Sequence, residues 1–220
     1  MIQRTRIKIC GLTREQDVAA AVAAGADAIG FVFYAKSPRA VSPERAAQLI
    51  ATLPPFVTAV GLFVNATADE IAATLAVAPL SLLQFHGDES VSDCNEAANR
   101  VNRPFIRAMR VGLTTVAADL IEYNHGYRTN SRLFAGLLLD TFVDGYGGSG
   151  KVFDWSLIPK ELAPQVVLSG GLSVQNATDA VVRVRPFAVD ISSGVEQEKG
   201  IKDPVRIRAF IEAVRQADAV

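Results

Sequence analysis

The chain has 220 residues, half of them hydrophobic, and a formal net charge of −1. That length supports a sizeable core, and the near-neutral balance excludes a general nucleic-acid binder or a protein held to an anionic membrane by charge. No apolar run reaches the roughly eighteen residues of a membrane span, and the basic start "MIQRTRIKIC" lacks the apolar stretch of a signal peptide, so a soluble, cytoplasmic protein without a membrane partner is expected.

Short apolar runs at 5–10, 28–33, 56–64, 80–85, 105–109, 133–139, 165–168 and 187–191 read as strands. Amphipathic segments follow them at 14–24, 43–52, 68–78, 90–100, 113–122, 154–158, 173–182 and 204–217. "SPERA" places Ser42 at an N-cap, Pro43 at the first helical position and Glu44 in the first turn. "TREQD" and "SVQNA" begin in similar ways. Strand–helix alternation predicts a parallel sheet with helical crossovers. Eight such units, with no linker-like segment, predict an α/β fold: a single-domain (β/α)8 TIM barrel over residues 1–220. An open doubly wound sheet would carry a Gly-rich fingerprint after its first strand, and "CGLTRE" is not one.

The stretch "GYGGSGKVFD", residues 145–154, contains G-x-x-x-x-G-K. A phosphate-binding P-loop needs a strand running straight into the glycines, Ser or Thr after the Lys, and a helix behind. Here Val152 follows Lys151, the strand ends near Asp140, and Pro159 stops the next helix. The stretch reads better as a mobile loop folding over a ligand at the barrel mouth, or as a plain surface loop.

Active sites of (β/α)8 barrels sit at the C-terminal strand ends. Side chains alternate along a strand, so in "IKIC" Ile7 and Ile9 face the helices while Lys8 and Cys10 point into the barrel. Cys10 at the rim is either a small buried hydrophobe or a working thiol. In "LFAGLLLD" Asp140 also points into the mouth, where a carboxylate needs a task or a partner. Cys10 and Asp140 can form a proton-handling pair. "LSGGLS" and "ISSG" end the last two strands, bringing Gly170, Gly171, Ser192, Ser193 and Gly194 to the rim, where such barrels often hold a phosphate on backbone N–H groups. Arg39 is a carboxylate clamp or a solvated loop charge. His86 shares a strand face with Gln84 near the rim and competes with Cys10 as a base, whereas His125 reads as a loop residue. Two cysteines, Cys10 and Cys94, with only two histidines, make neither a disulfide framework nor a metal cluster.

Together "KICGLT", "ADAIGFVFYAKSPR", "LPPFVTAVGLFVN", "LLQFHGDE", "LLLDT", "GYGGSGKVFDWSL", "VLSGGL", "RPFAVDISSGVE" and a closing "KD" resemble the phosphoribosylanthranilate isomerase family of tryptophan biosynthesis, in order and over nearly the whole chain. Two departures are Ala40, where the family usually has an aromatic residue, and Phe85, where Leu is common; both bear on packing around the aromatic ring of the substrate. The resemblance implies an Amadori rearrangement of a small phosphosugar, N-(5′-phosphoribosyl)anthranilate, with Asp140 as general acid and Cys10 as general base. It implies Arg39 on the anthranilate carboxylate, the two glycine–serine segments on the phosphate and His86 in a supporting substrate contact. No cofactor or metal is implied, because the substrate nitrogen is the electron sink, and a monomer or homodimer is expected.

A thiol acting as base needs help toward the thiolate. Lys8 is the candidate, and strand eight adjoins strand one in a closed barrel, so Lys8 and Asp190 are expected to pair inside it. That pair either tunes Cys10 or is purely structural. Two related barrels compete with the isomerase reading. A metal-dependent epimerase would want clustered His and acidic ligands; an indole-forming synthase would want a lysine where the third strand ends "GLFVN". A non-catalytic phosphate-binding barrel is a further alternative, separable by assay.

Overall fold

On strand β1 (Arg6–Cys10), Ile7 and Ile9 are fully buried and pack outward, while Lys8 and Cys10 occupy the opposite face. The same alternation holds around the barrel, in a computed structural model that describes residues 4–141 and 152–219. The Gly-rich loop expected at 145–150 to cover a ligand lies outside the described residues. Strands β2 (Ala28–Phe33), β3 (Thr58–Phe63), β4 (Leu82–Phe85), β5 (Phe105–Val111), β6 (Phe134–Thr141), β7 (Val167–Leu168) and β8 (Ala188–Ile191) follow β1 in sequential, parallel order. β8 closes on β1 in a register that pairs Lys8 with Asp190. This is the closed eight-stranded barrel that the strand–helix alternation predicts.

Two apolar layers hold it together. Ile106, Ala108, Leu138, Val167 and Ala188 form a small cluster inside the barrel. A much larger cluster joins the outward strand faces to the helices α1 (Glu15–Ala24), α2 (Pro43–Ile50), α3 (Ala68–Val77), α4 (Val91–Val101), α5 (Ala117–Asn130), α6 (Ala177–Val184) and α7 (Pro204–Asp218). Among the described residues no helix is long and apolar enough to cross a membrane.

Several helix starts follow the expected chemistry. Ser42 accepts from the Arg45 amide with Pro43 at the first position of α2, and Thr67 and Ser90 close capping boxes with Glu70 and Asp93. Others depart from it. Arg14, not Thr13, precedes α1, and the Thr13 hydroxyl donates instead to Gly200 O at 3.1 Å. Asn176 uses its side chain to accept from Ser173 N at 2.8 Å, which closes a turn and delays α6 until Ala177. α5 starts four residues later than the sequence suggests, because Thr115 Oγ1 accepts from Gly112 N and holds a turn there. It then runs on through His125, which is an exposed helix residue and not a loop residue. Tyr123 and Tyr127 carry it onward by packing with ring centroids 5.1 Å apart beside Phe105 and Phe134. The expected sixth helix at 154–158 is a single 3-10 turn, Trp155–Leu157, capped by Asp154 and ended before Pro159.

The sequence reading also lacked a small hairpin. After β8, strands β9 (Glu196–Glu198) and β10 (Ile201–Lys202) pair antiparallel at the barrel rim and set Lys202 opposite Glu196. Charged residues at both strand ends hide its β character from pattern reading.

Candidate active site

One pocket opens at the C-terminal ends of the strands, and every site residue expected from the sequence lines it: Cys10, Arg39, His86, Asp140, and the glycines and serines after β7 and β8. Cys10 ends β1 and Asp140 lies near the end of β6. In the closed strand order, β7 and β8 stand between these two. A phosphate held by the β7 and β8 loops would therefore place the attached sugar between the thiol and the carboxyl.

The β7 loop makes its turn with Gly170 and Gly171 at φ +81° and +66°, a left-handed backbone that favours glycine. A Cβ on Gly170 would lie 2.3 Å from Thr141 N and 2.7 Å from Asp140 Oδ1, so glycine is what lets this loop seat against the acid. After β8, Ser192 Oγ donates to Cys10 O at 3.0 Å and ties the second loop to the thiol's backbone.

Asp140 is held from two sides. Oδ1 accepts from Thr141 N at 2.8 Å, and Oδ2 lies 3.1 Å from His86 Nε2. Gln84 Nε2 lies 3.0 Å from His86 Nδ1; with the amide nitrogen as donor, the neutral ring presents its Nε2–H to Asp140. Gln84, His86 and Asp140 are all buried, so this chain of three polar groups works in a poorly hydrated environment.

Around Cys10 the charges alternate. Lys8 Nζ donates to Asp190 Oδ1 at 2.8 Å, the pairing expected from the sequence. Burial pushes the Cys10 thiol above its ordinary range. Lys8 pulls it down, Asp190 pushes it up, and Lys202 adds a smaller downward pull. Lys8 thus favours the thiolate, but desolvation outweighs it. Burial works against the Lys8 ammonium too, and Asp190 and Cys10 more than compensate, keeping it charged.

Arg39 is neither a free clamp nor a solvated charge. Its Nε and Nη2 donate to Glu196 Oε1 and Oε2 at 2.7 and 2.8 Å, so its side-on edge is already engaged. Phe85, one of the two departures noted in the sequence, cannot pack on a substrate ring. It points outward and meets Phe105 edge-on at 5.3 Å. Ala40 is exposed and does not line the pocket.

Sequence reading missed Glu196, Lys202, Ser169 and the buried Arg107. Arg107 sits on the outward face of β5, 3.1 Å from Glu89, and donates to Tyr127 Oη and to the carbonyls of Phe85, Gly87 and Glu89. Glu89 in turn accepts from Asn65 N and Gly87 N. The pair braces the loop that carries His86. An arginine on the apolar face of "FIRAM" was the available signal.

Fold and pocket define a (β/α)8-barrel enzyme whose working groups stand at the C-terminal strand ends. The family model for N-(5′-phosphoribosyl)anthranilate (PRA) isomerase matches residues 7–213. An N-(5′-phosphoribosyl)anthranilate isomerase of Herminiimonas arsenicoxydans is 70% identical over 219 residues, covering 100% of this chain and 96% of that protein. The solved phosphoribosyl anthranilate isomerase of Thermotoga maritima superposes with a TM-score of 0.83 at 44% identity, covering 96% of this chain and 99% of that one. A solved phosphoribosyl anthranilate isomerase in complex with reduced 1-(o-carboxyphenylamino)-1-deoxyribulose 5-phosphate gives a TM-score of 0.78 at 40% identity, with the same coverage. The chain belongs to the N-(5′-phosphoribosyl)anthranilate isomerase family.

Proposed function

We propose that the chain, acting as one barrel domain in the cytoplasm, converts N-(5′-phosphoribosyl)anthranilate to 1-(o-carboxyphenylamino)-1-deoxyribulose 5-phosphate in tryptophan biosynthesis. The observation that carries the assignment of roles is the placement of Cys10 and Asp140 on either side of the β7 and β8 loops in one pocket. The substrate phosphate lies on the amides of Gly170, Gly171, Ser193 and Gly194. Asp140 gives its proton to the ribose ring oxygen. The C1′–O bond breaks as the nitrogen lone pair forms C1′=N. The Cys10 thiolate then removes the C2′ proton, and the C–H electrons form C1′=C2′ while the C=N electrons return to nitrogen. The resulting enolamine takes up a proton at C1′ while its 2′-hydroxyl gives one up, and the C2′–O bond becomes the ketone. His86 donates to Asp140 and orients it toward the ring oxygen. Arg39 receives the anthranilate carboxylate on the guanidinium edge that Glu196 leaves open.

The test is loss of substrate fluorescence with wild type, Cys10→Ser and Asp140→Asn. Turnover by wild type and losses of about a hundredfold or more in both variants support the acid–base pair. Near-intact activity of Cys10→Ser moves the base role to another group, with His86 next. A folded wild type that binds the substrate without turning it over refutes the reading in favour of a phosphate-binding barrel. Sedimentation equilibrium decides between monomer and homodimer.

A further inference from the structure

Lys202 is fully buried and takes no part in the proton transfers. An ammonium in such a place is costly unless several acceptors surround it. Three acceptors oppose that cost: Nζ donates to Glu196 Oε1 at 2.9 Å, to Ser192 O at 2.9 Å and to Ser192 Oγ at 3.3 Å, although burial still pulls the ammonium below its ordinary pKa. Its backbone N–H donates to the buried Asp17 at 3.2 Å, and Arg14 holds Asp17 from the other side. The β9–β10 hairpin sets Lys202 opposite Glu196, and Glu196 presents its carboxylate to the side-on edge of Arg39. The three side chains form a row, Arg39⁺–Glu196⁻–Lys202⁺, running from the pocket wall into the hairpin.

The row has two physical consequences. A bidentate carboxylate fixes the plane of a guanidinium, so Arg39 meets a ligand without first losing its rotamer freedom. A lone Glu196 would also cancel the charge that Arg39 offers. Lys202 balances that carboxylate, leaving one net positive charge at the pocket wall. Close approach of Arg39 to the β1 rim completes the seat: a Cβ on Gly11 would lie 2.5 Å from Arg39 Cδ.

We propose that Glu196 and Lys202 are positioning residues that set the enzyme's preference for a carboxylate on the aromatic ring of its substrate. They act by holding Arg39 with its Nη1/Nη2 edge toward the pocket and its charge undiminished. The proposal rests on Arg39 as the carboxylate-binding group.

The experiment compares kcat/KM for N-(5′-phosphoribosyl)anthranilate with that for its decarboxy counterpart, N-(5′-phosphoribosyl)aniline, followed chromatographically. The ratio of the two is the carboxylate preference. Arg39→Ala is expected to abolish it. Glu196→Gln is expected to lower it by about tenfold, carried mainly by KM, as expected for loss of an ordered charge-assisted contact. Glu196→Gln/Lys202→Gln removes both charges together, spares the fold a buried unpaired ammonium, and is expected to lower the preference in the same way. Damage to folding alone would depress both substrates equally. An unchanged ratio in both hairpin variants, with Arg39→Ala still abolishing the preference, overturns the proposal and leaves the Arg39 role standing. A wild type without preference, or an Arg39→Ala variant that keeps it, removes the Arg39 role and the proposal with it.

Discussion

Lys8 Nζ lies 2.8 Å from Asp190 Oδ1 across the neighbouring strands β1 and β8, with both side chains buried beside Cys10. With Cys10 as the proposed base, the rising limb of kcat/KM against pH in the free enzyme is expected to follow thiolate formation. Burial pushes the Cys10 thiol above its ordinary range, and the Lys8 charge opposes that push. Lys8→Met is therefore expected to move the limb to higher pH. A pH–rate profile identical to wild type would make the ion pair structural only.

His86 lies between Gln84 and Asp140, 3.0 Å from one and 3.1 Å from the other, and so is placed to hold the proposed acid. Gln84→Leu removes the donor that fixes the ring tautomer and lets the ring turn. The expected result is a fall of about tenfold in kcat with KM little changed, an effect on orientation and not on substrate binding. A loss confined to KM would contradict this role.

Arg107 and Glu89 are both buried, at 4% and 7% exposure. Removing one partner leaves a charge that the other can no longer balance. Arg107→Met is expected to cost about 3–5 kcal/mol, a fall in Tm of roughly 10 °C in a chain of this size. Arg107→Met/Glu89→Gln should recover much of that loss. Scanning calorimetry of the three proteins checks both statements.

Glu196 titrates in the opposite sense to Cys10. Burial pushes its carboxyl up, but Arg39 and Lys202 together outweigh this and hold it below the ordinary carboxylate range. A depressed folded-state pKa contributes stability that is fully present above the unfolded value and is lost as pH falls through the folded one. Wild type should therefore lose Tm on acidification over this window more steeply than Glu196→Gln. Parallel Tm–pH curves would show that the carboxylate carries no such linkage.

The barrel was legible in the sequence because eight short apolar runs alternate with amphipathic segments, and within each strand the alternation of faces needs no knowledge of neighbours. Ile7 and Ile9 against Lys8 and Cys10 is enough to say which side chains enter the mouth, and the Gly–Ser strand ends mark the rim. The Lys8–Asp190 pair followed from closure alone. What the pattern could not reach depends on which distant groups meet. Local side-chain turns at Thr115 and Asn176 shifted two helix starts. The aromatic packing of Tyr123 and Tyr127 extended α5 through a glycine. Glu196 and Lys202 lie in the polar stretch "VEQEKGIKD", which has no alternation to betray a hairpin. Their meaning appears only when folding brings them to Arg39, 157 residues away from Glu196. The succession of apolar runs and amphipathic segments by itself determined the architecture, and strand periodicity the side chains at its mouth. Tertiary structure decided how those side chains are charged, tilted and held, because long-range ion pairs and burial are properties of neighbours that sequence order does not contain.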